Sequence, residues 1–247
     1  MGKEDLVFLT MDSAPTFVPF SVQHLLALLC IATLAAGAVV LGHRVTPSSR
    51  NRGALALAVL WGGAELYWVL TSLDACDRIR DCLPLHLCDL SVAMTVLALV
   101  THRQIPFEFA YFFGIGGTLQ ALFTPDLPFG FPTESYFRFF IGHGGIIISV
   151  AYLIAAFSLR PTRASVIRMI AVGYAYILAI GAFNWLADTN YAYICRKPSN
   201  PSLFDRLGPW PWYVLLASLI AVANILLLYL PYWWMDRRAK RIQARTE

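Results

Sequence analysis

Charged residues are scarce in this chain: they make up 14% of its 247 residues, whereas hydrophobic residues make up 58%. The mean hydropathy of +0.60 lies outside the usual range of soluble globular domains. The composition therefore argues against a soluble protein. The sequence also lacks internal repeats, heptads and low-complexity segments.

Several common functional signatures are also absent. The sequence contains no phosphate-binding loop, no dinucleotide-binding fingerprint and no Gly-x-Ser-x-Gly elbow, so we expect no cofactor. The net charge of +4 does not indicate a nucleic-acid partner, because the Lys and Arg residues fall in short connectors between apolar runs. Such a distribution is typical of charges that orient helices in a membrane.

Long apolar runs are what the sequence does contain. A helix that crosses a bilayer needs about 20 predominantly apolar residues. Runs of this kind predict about seven transmembrane helices, near residues 20–41, 54–73, 83–100, 105–123, 139–159, 166–186 and 211–232. They consume most of the chain, so we expect an all-α polytopic bundle that forms a single integral membrane domain over residues 1–247.

The basic residues predict the orientation of this bundle. Cytoplasmic loops carry an excess of Lys and Arg. With seven crossings, one side holds twelve of the 19 basic residues: Arg44, Arg50, Arg52, Arg103, Arg160, Arg163, Arg168, Arg237, Arg238, Lys240, Arg241 and Arg245. We therefore expect the C-terminus in the cytoplasm and the N-terminus outside. No small-residue cleavage site follows the first apolar run, so a removed signal peptide is not expected.

Two predicted helices bring reactive side chains to one layer. Cys88 follows the start of the third run by five residues, about 7 Å along a helix, and His143 follows the start of the fifth by four. Histidine can serve as the base for a thiol nucleophile. A buried cysteine is more often an inert small hydrophobic residue, and a histidine between glycines is equally consistent with helix packing.

Other polar residues are predicted near that layer, and ionisable groups within a span are functional candidates. His86 and Asp89 are three residues apart and are predicted to share a helical face. The remaining candidates for substrate binding or support are Glu65, Gln120, Asn184 and Asp188. His86, Asp89, His143 and Asp188 are conceivable metal ligands, but no helix carries His-x-x-x-His or Glu-x-x-His, so we predict no metal site.

Alternatives remain open at this level. Glu65 is also consistent with a proton or cation site, in which case the protein would be a small transporter or a lipid-binding protein with a polar cavity. Cys76, Cys82 and Cys195 fall on the predicted outer side, where disulfides can persist. A bridge from Cys195 to one of the other two is one plausible pairing, and the sequence leaves the pairing open.

Four segments give the sequence a resemblance to a known family. They are Leu83-Pro84-Leu85-His86-Leu87-Cys88, the stretch from Gly117 to Pro125, Phe140-Ile141-Gly142-His143-Gly144, and the stretch from Asn190 to Tyr213. Together they resemble the YwaF-like integral membrane proteins of bacteria. That family is similar to the vertebrate transmembrane proteins that act as acyltransferases on ether phospholipids.

The resemblance implies both a location and an activity. It implies a bacterial cytoplasmic membrane protein that takes an acyl chain from a phospholipid through an acyl-cysteine and gives it to a lysophospholipid or to water. It also implies that Cys88 corresponds to the acylated cysteine and His143 to the essential histidine. Membrane phospholipids and lysophospholipids would then be the partners, whereas the oligomeric state is not indicated.

Overall fold

The computed structural model describes residues 15–198 and 203–246, and these ranges are helical without a β-strand. Residues 1–14, which carry the predicted external N-terminus, lie outside the described residues. The helices are α1 (Val22–Arg44), α2 (Pro47–Asp74), α3 (Leu87–Thr101), α4 (Gln104–Phe109), α5 (Gly116–Phe123), α6 (Glu134–Phe157), α7 (Arg163–Ala187) and α8 (Trp212–Thr246). A π-helical segment, Ala110–Ile115, joins α4 to α5, and 3₁₀ turns occupy Ile79–Asp81, Tyr191–Tyr193 and Leu203–Leu207.

Five of these helices are long and apolar enough to cross a membrane, namely α1, α2, α6, α7 and α8. The prediction of an all-α integral membrane protein is confirmed at this level. The third and fourth predicted runs do not meet the same criterion, because α3 has only 15 residues and the fourth run is divided among α4, the π-helical segment and α5.

Helix α6 forms the centre of the bundle. In its most apolar stretch, half of the residues are buried, whereas in that of α1 only 17% are buried. Helix α6 packs against α1, α2 and α3. A Cβ atom on Gly144 would lie 2.8 Å from the side chain of Ile31, and one on Gly145 would lie 2.8 Å from the indole of Trp61. These two glycines therefore let α1 and α2 approach the backbone of α6.

Two helix starts differ from the prediction, and both differences affect the candidate site. Helix α3 begins at Leu87 rather than near residue 83, because the preceding backbone is held by tyrosines: Leu83 N–H donates to the Tyr191 hydroxyl at 2.8 Å, and the Tyr176 hydroxyl donates to the Leu85 carbonyl at 2.9 Å. Helix α6 begins earlier, at Glu134 rather than near residue 139. Cys88 is therefore the second residue of its helix and His143 the tenth of its own, so the predicted counts of five and four residues from the helix starts do not hold.

Local capping explains the other shifted boundaries. The side chain of Thr46 accepts a hydrogen bond from Ser49 N–H, and Pro47 occupies the first turn, so α2 begins at Pro47 instead of near residue 54. Thr133 caps α6 in the same way by accepting from Tyr136 N–H. Helix α8 continues through Pro231 to Thr246, which is 14 residues beyond its predicted end at 232.

An ion pair relates the end of α6 to the end of α8. Arg160, just after α6, pairs with Asp236 in α8, and its guanidinium also lies over the ring of Tyr232. The C-terminal end of α6 and the basic C-terminal part of α8 are therefore on the same side of the bundle, and the N-terminal end of α6 points to the opposite side.

Candidate functional site

A polar cavity of about 340 Å³ opens near the N-terminal ends of α3 and α6. It is lined by Glu65, Cys88, Asp89, Val92, Asp126, Leu127, Pro128, Ser135, Arg138, Phe139, Gly142, His143 and Ile146. Four of the residues singled out from the sequence, Cys88, His143, Asp89 and Glu65, thus line one cavity. They come from three different helices, α2, α3 and α6.

The Cys88 thiol occupies an accessible position in this cavity. Cys88 is the second residue of α3 and is an exposed, free cysteine. Backbone N–H groups in the first turn of a helix lack intrahelical partners and carry partial positive charge. Asp89 and Glu65 add two carboxylates to the same cavity. A thiolate formed in advance would be repelled by these two carboxylates. A base that removes the thiol proton only as the sulfur attacks avoids this repulsion.

His143 is oriented by its own helix. Its Nδ1 lies 2.8 Å from the carbonyl oxygen of Phe139, one turn earlier, and the two rings are 4.3 Å apart. A carbonyl oxygen can only accept, so in this contact Nδ1 carries the proton and the neutral imidazole keeps Nε2 as an acceptor. Within the described residues no hydrogen bond joins the Cys88 thiol to this ring, so the pair shares a cavity rather than a direct contact.

Asp89 and His86 form a helix cap instead of a common helical face. His86 precedes α3 as its N-cap, and its backbone N–H donates to Asp89 Oδ2 at 3.2 Å. The His86 ring packs edge-on against Tyr191, with 5.1 Å between ring centroids, and does not line the cavity. The predicted shared face of His86 and Asp89 is therefore wrong, because the helix begins one residue after His86.

Three other predicted residues lie away from the cavity. The Asn184 amide is 2% exposed and used on both sides: it donates to the Tyr191 carbonyl at 2.9 Å and accepts from Tyr191 N–H at 2.8 Å and from the Thr189 hydroxyl at 2.9 Å. Asn184 thus holds the loop after α7. Asp188 ends α7 in the left-handed conformation, with an exposed carboxylate 3.8 Å from Arg196, and Gln120 is exposed on α5.

The sequence reasoning missed three polar residues that line the cavity, Arg138, Ser135 and Asp126. Arg138 NH1 donates to the hydroxyl of Ser72 on α2 at 2.9 Å. The helical spacing could have identified them. Ser135, Arg138 and His143 lie on the same face of α6 as residues 139, 142 and 146, which also line the cavity. With α6 predicted to begin at 139, the first part of this face was assigned to a loop.

The cysteine pairing also differs from the expectation. Cys76 and Cys82 form a disulfide that closes a short loop after α2, and Cys195 is free. The pairing that the sequence left open is therefore Cys76 with Cys82, and the plausible bridge to Cys195 is not formed. In the part of the chain that the structure describes, no cluster of three or more His, Cys, Asp or Glu side chains is arranged to hold a metal ion.

One more buried ionisable residue lies at the other end of the bundle. The Glu108 carboxylate of α4 is fully buried, accepts from the Ser165 hydroxyl at 2.6 Å and pairs with Arg168 at 3.2 Å. Glu108 and Arg168 both lie within predicted spans. Ionisable groups within a span are functional candidates, so the argument made for Glu65 also applied to these two residues. Their interaction ties α4 to α7.

The fold and the cavity together define an all-α integral membrane protein with a thiol and an imidazole in one polar cavity. The chain belongs to the TMEM164 family, whose model matches residues 19–229. An uncharacterized protein of Treponema pallidum (strain Nichols) is 26% identical over 225 residues, which cover 87% of this chain and 90% of that protein. No solved structure gives a significant match.

Proposed function

We propose that this protein is a membrane-embedded phospholipid acyltransferase or acyl hydrolase that works through an acyl-cysteine at Cys88. The observation that carries the proposal is the shared cavity: an exposed free thiol and a histidine with an oriented ring line the same polar space between membrane helices. Membership of the TMEM164 family agrees with a membrane-embedded site, and the resemblance of the Cys88 and His143 segments to YwaF-like proteins supports these two residues.

The first half of the reaction forms the thioester. As Cys88 Sγ attacks the ester carbonyl carbon of a phospholipid, the thiol proton passes to Nε2 of His143. When the tetrahedral intermediate collapses, the ester C–O bond breaks and the imidazolium returns that proton to the departing oxygen. The products are a lysophospholipid and an acyl group joined to sulfur. Because Cys88 and His143 are not hydrogen-bonded, the bound ester must draw them together.

The second half releases the acyl group. A lysophospholipid hydroxyl, or water, gives its proton to His143 Nε2 while its oxygen attacks the thioester carbonyl carbon. The C–S bond then breaks and the sulfur takes the proton back from the imidazolium. With a lysophospholipid the result is acyl transfer, and with water it is hydrolysis. No cofactor takes part in either sequence.

Arg138 is the residue best placed to bind the phosphate of the lipid headgroup. It lines the same cavity on α6, little more than one turn before His143, and its guanidinium is exposed beyond the bond to Ser72. Guanidinium groups bind phosphate oxygens with two parallel hydrogen bonds. If Arg138 bound the phosphate, the ester bonds of the same lipid would lie farther along α6, beside His143.

The proposed topology places this site in the outer half of the membrane. If α3 and the composite α4–α5 segment also cross, the chain has seven crossings, with the N-terminus outside and the C-terminus in the cytoplasm. The contact of Arg160 with Asp236 puts the basic end of α8 opposite the cavity, and basic ends are typically cytoplasmic. In a bacterial cytoplasmic membrane, phospholipids of the outer leaflet would therefore reach the cavity laterally.

The decisive experiment looks for the thioester itself. Purified protein in liposomes of phospholipid with an isotope-labelled acyl chain is analysed by intact mass and peptide mapping, before and after hydroxylamine. We expect a labelled acyl group on the Cys88 peptide that hydroxylamine removes, no such group in Cys88→Ser, and an unchanged group in the control Cys195→Ser. Two outcomes would contradict the proposal. Lipid turnover at the wild-type rate in Cys88→Ser would refute the covalent route. Protein that acquires no acyl label but shows measurable solute flux would favour a transporter.

A further inference from the structure

A second cavity lies on the other face of α6 and is almost entirely apolar. It has a volume of about 370 Å³ and runs between α1 and α6, with Trp61 of α2 at one side. Its wall includes Ala27, Cys30 and Leu34 from α1 and Phe140 from α6. This apolar groove is distinct from the polar cavity, because the two occupy different stripes of α6.

The surroundings of the groove indicate what fills it. Both α1 and α6 are candidate membrane spans, and the neighbouring side chains of Leu26 and Leu34 on α1 are 59% and 52% exposed. In a bilayer that surface faces hydrocarbon. An empty apolar groove would forfeit the dispersion contacts of its lining, so an acyl chain of a membrane lipid is the occupant that the surroundings supply.

A narrow gap adjoins both the groove and the polar cavity. The gap lies among α2, α3 and α6 and has a volume near 10 Å³, about enough for one water molecule. It shares Trp61 and Gly145 with the groove, and it shares Glu65 and Gly142 with the polar cavity. The indole of Trp61, which rests on the α6 backbone at Gly145, is therefore the partition between the two spaces.

The partition contains a polar atom that lacks a partner. Trp61 Nε1 is buried, and among residues 15–198 and 203–246 no acceptor lies within hydrogen-bond distance of it. Leaving a buried N–H group without an acceptor is unfavourable because its hydration is lost without replacement, and such groups call for an explanation. An ester carbonyl oxygen passing between the groove and the polar cavity is an acceptor of the right kind at the right place.

We propose that the apolar groove holds one acyl chain of the donor phospholipid, that the ester lies in the polar cavity, and that Trp61 moves aside to let the chain pass while its Nε1–H donates to the ester carbonyl. This inference rests on the proposed acyl transfer, and it adds a binding tract and a positioning residue to it. It makes Trp61 and the width of the gap determinants of which acyl chains reach Cys88.

The binding of the acyl chain to the groove is tested independently of thioester formation. The protein is reconstituted with a phosphatidylcholine that carries a diazirine near the end of one acyl chain, irradiated, and mapped by peptide mass analysis. We expect crosslinks concentrated at Ala27, Cys30 and Leu34. Ala27→Trp should lower the crosslink yield at these residues about tenfold, because keeping even two methylene groups of the chain out of the groove weakens binding by about that factor. The control Leu178→Trp, at a residue of α7 that is 74% exposed, should leave them unchanged.

The passage is tested separately, through the rate of thioester formation at Cys88. A Cβ at Gly142 would meet no atom within 4 Å, and Gly142 lines both the gap and the polar cavity, so the side chain of Gly142→Leu has room to extend into the space where the two adjoin. We expect Gly142→Leu to slow acylation about tenfold while Cys88 still reacts with a small water-soluble maleimide at the wild-type rate. Trp61→Phe keeps a flat aromatic ring and loses the N–H, so it should slow acylation for every chain length, whereas Trp61→Ala should shift the preference towards bulkier chains.

The outcomes separate this inference from the proposed function. Crosslinks spread evenly over α1 and α7, or unchanged in Ala27→Trp, overturn the groove. Wild-type acylation in Gly142→Leu overturns the passage through the gap while leaving the acyl-cysteine intact. Groove crosslinks that Ala27→Trp removes, in a protein that never forms a thioester, support a lipid-binding groove and refute the acyltransferase.

Discussion

His143 Nδ1 lies 2.8 Å from the carbonyl oxygen of Phe139, so the backbone of α6 itself determines which imidazole nitrogen carries the proton. A side chain whose tautomer is set by a carbonyl one turn earlier needs no acidic partner to orient it. The free acceptor, Nε2, is then the atom available to a substrate in the cavity that contains Cys88.

Removing this base should suppress the chemistry and leave the fold intact. We expect His143→Gln to slow thioester formation by about 10²- to 10⁴-fold, the usual contribution of a general base. Its cost in stability should be near that of one hydrogen bond, about 1 kcal/mol. His43→Gln, at an exposed histidine near the other end of the bundle, is the matched control. Wild-type acylation in His143→Gln would exclude this histidine as the base.

Asn184 should prove to be a structural residue. Asn184→Ala leaves Tyr191 N–H, the Tyr191 carbonyl and the Thr189 hydroxyl without partners, so we expect the free energy of unfolding to fall by at least about 2 kcal/mol. Asp188→Asn, which tolerates the left-handed conformation at this position and removes only the charge of an exposed pair, should change it by less than about 1 kcal/mol. Chemical denaturation in detergent measures both. A loss of acylation by folded Asn184→Ala, without destabilisation, would instead place its amide at the reaction.

The ion pair between Glu108 and Arg168 should be a stability element far from the site. Arg168→Ala leaves a fully buried carboxylate without its cation, and breaking such pairs costs about 3–5 kcal/mol. Adding Glu108→Gln to that variant removes the uncompensated charge and should restore part of the loss. The measurement is again unfolding in detergent. Equal stability of Arg168→Ala and the double variant would show that the carboxylate is not buried in its charged form.

His102 should make the protein less stable in mild acid. It ends α3, its ring stacks 3.9 Å from that of Phe157, and Nε2 is buried. Burial, and then the nearby Arg50 guanidinium, lower the pKa of His102 below its ordinary value of 6.5. The fold therefore favours the neutral ring. This contribution to stability is fully present above about pH 6.5, the pKa in the unfolded chain, and is lost as the pH falls from there through the lower pKa of the folded protein.

A substitution isolates this effect. His102→Phe keeps a flat ring against Phe157 and cannot gain a proton, so its melting temperature should depend less on pH between about 7 and 5 than that of the wild type. Arg50→Gln should weaken the dependence partly, because one cause of the lowered pKa is removed. An identical pH profile for wild type and His102→Phe would assign the acid sensitivity to other groups.

The helical class and the candidate pair were predictable from sequence, whereas the boundaries and the supporting residues were not. Apolar runs located the five helices that are long and apolar enough to cross a membrane, because a bilayer demands long stretches of apolar residues. They did not locate the start of α3 or of α6, since those starts depend on the tyrosine contacts before Leu87 and on the Thr133 cap. Both errors moved residues between loop and helix and hid the stripe that contains Arg138.

What the sequence determined by itself is an apolar, all-helical membrane chain in which a cysteine and a histidine stand out among very few polar groups. Only the tertiary structure decided that Cys88, His143, Asp89 and Glu65 share a cavity, that Asn184 holds a loop, and that Cys76 pairs with Cys82. The physical reason is that hydrophobicity is summed along a segment and can be read locally. A cavity or a disulfide, by contrast, depends on which helices lie side by side, and that depends on contacts between residues far apart in the chain.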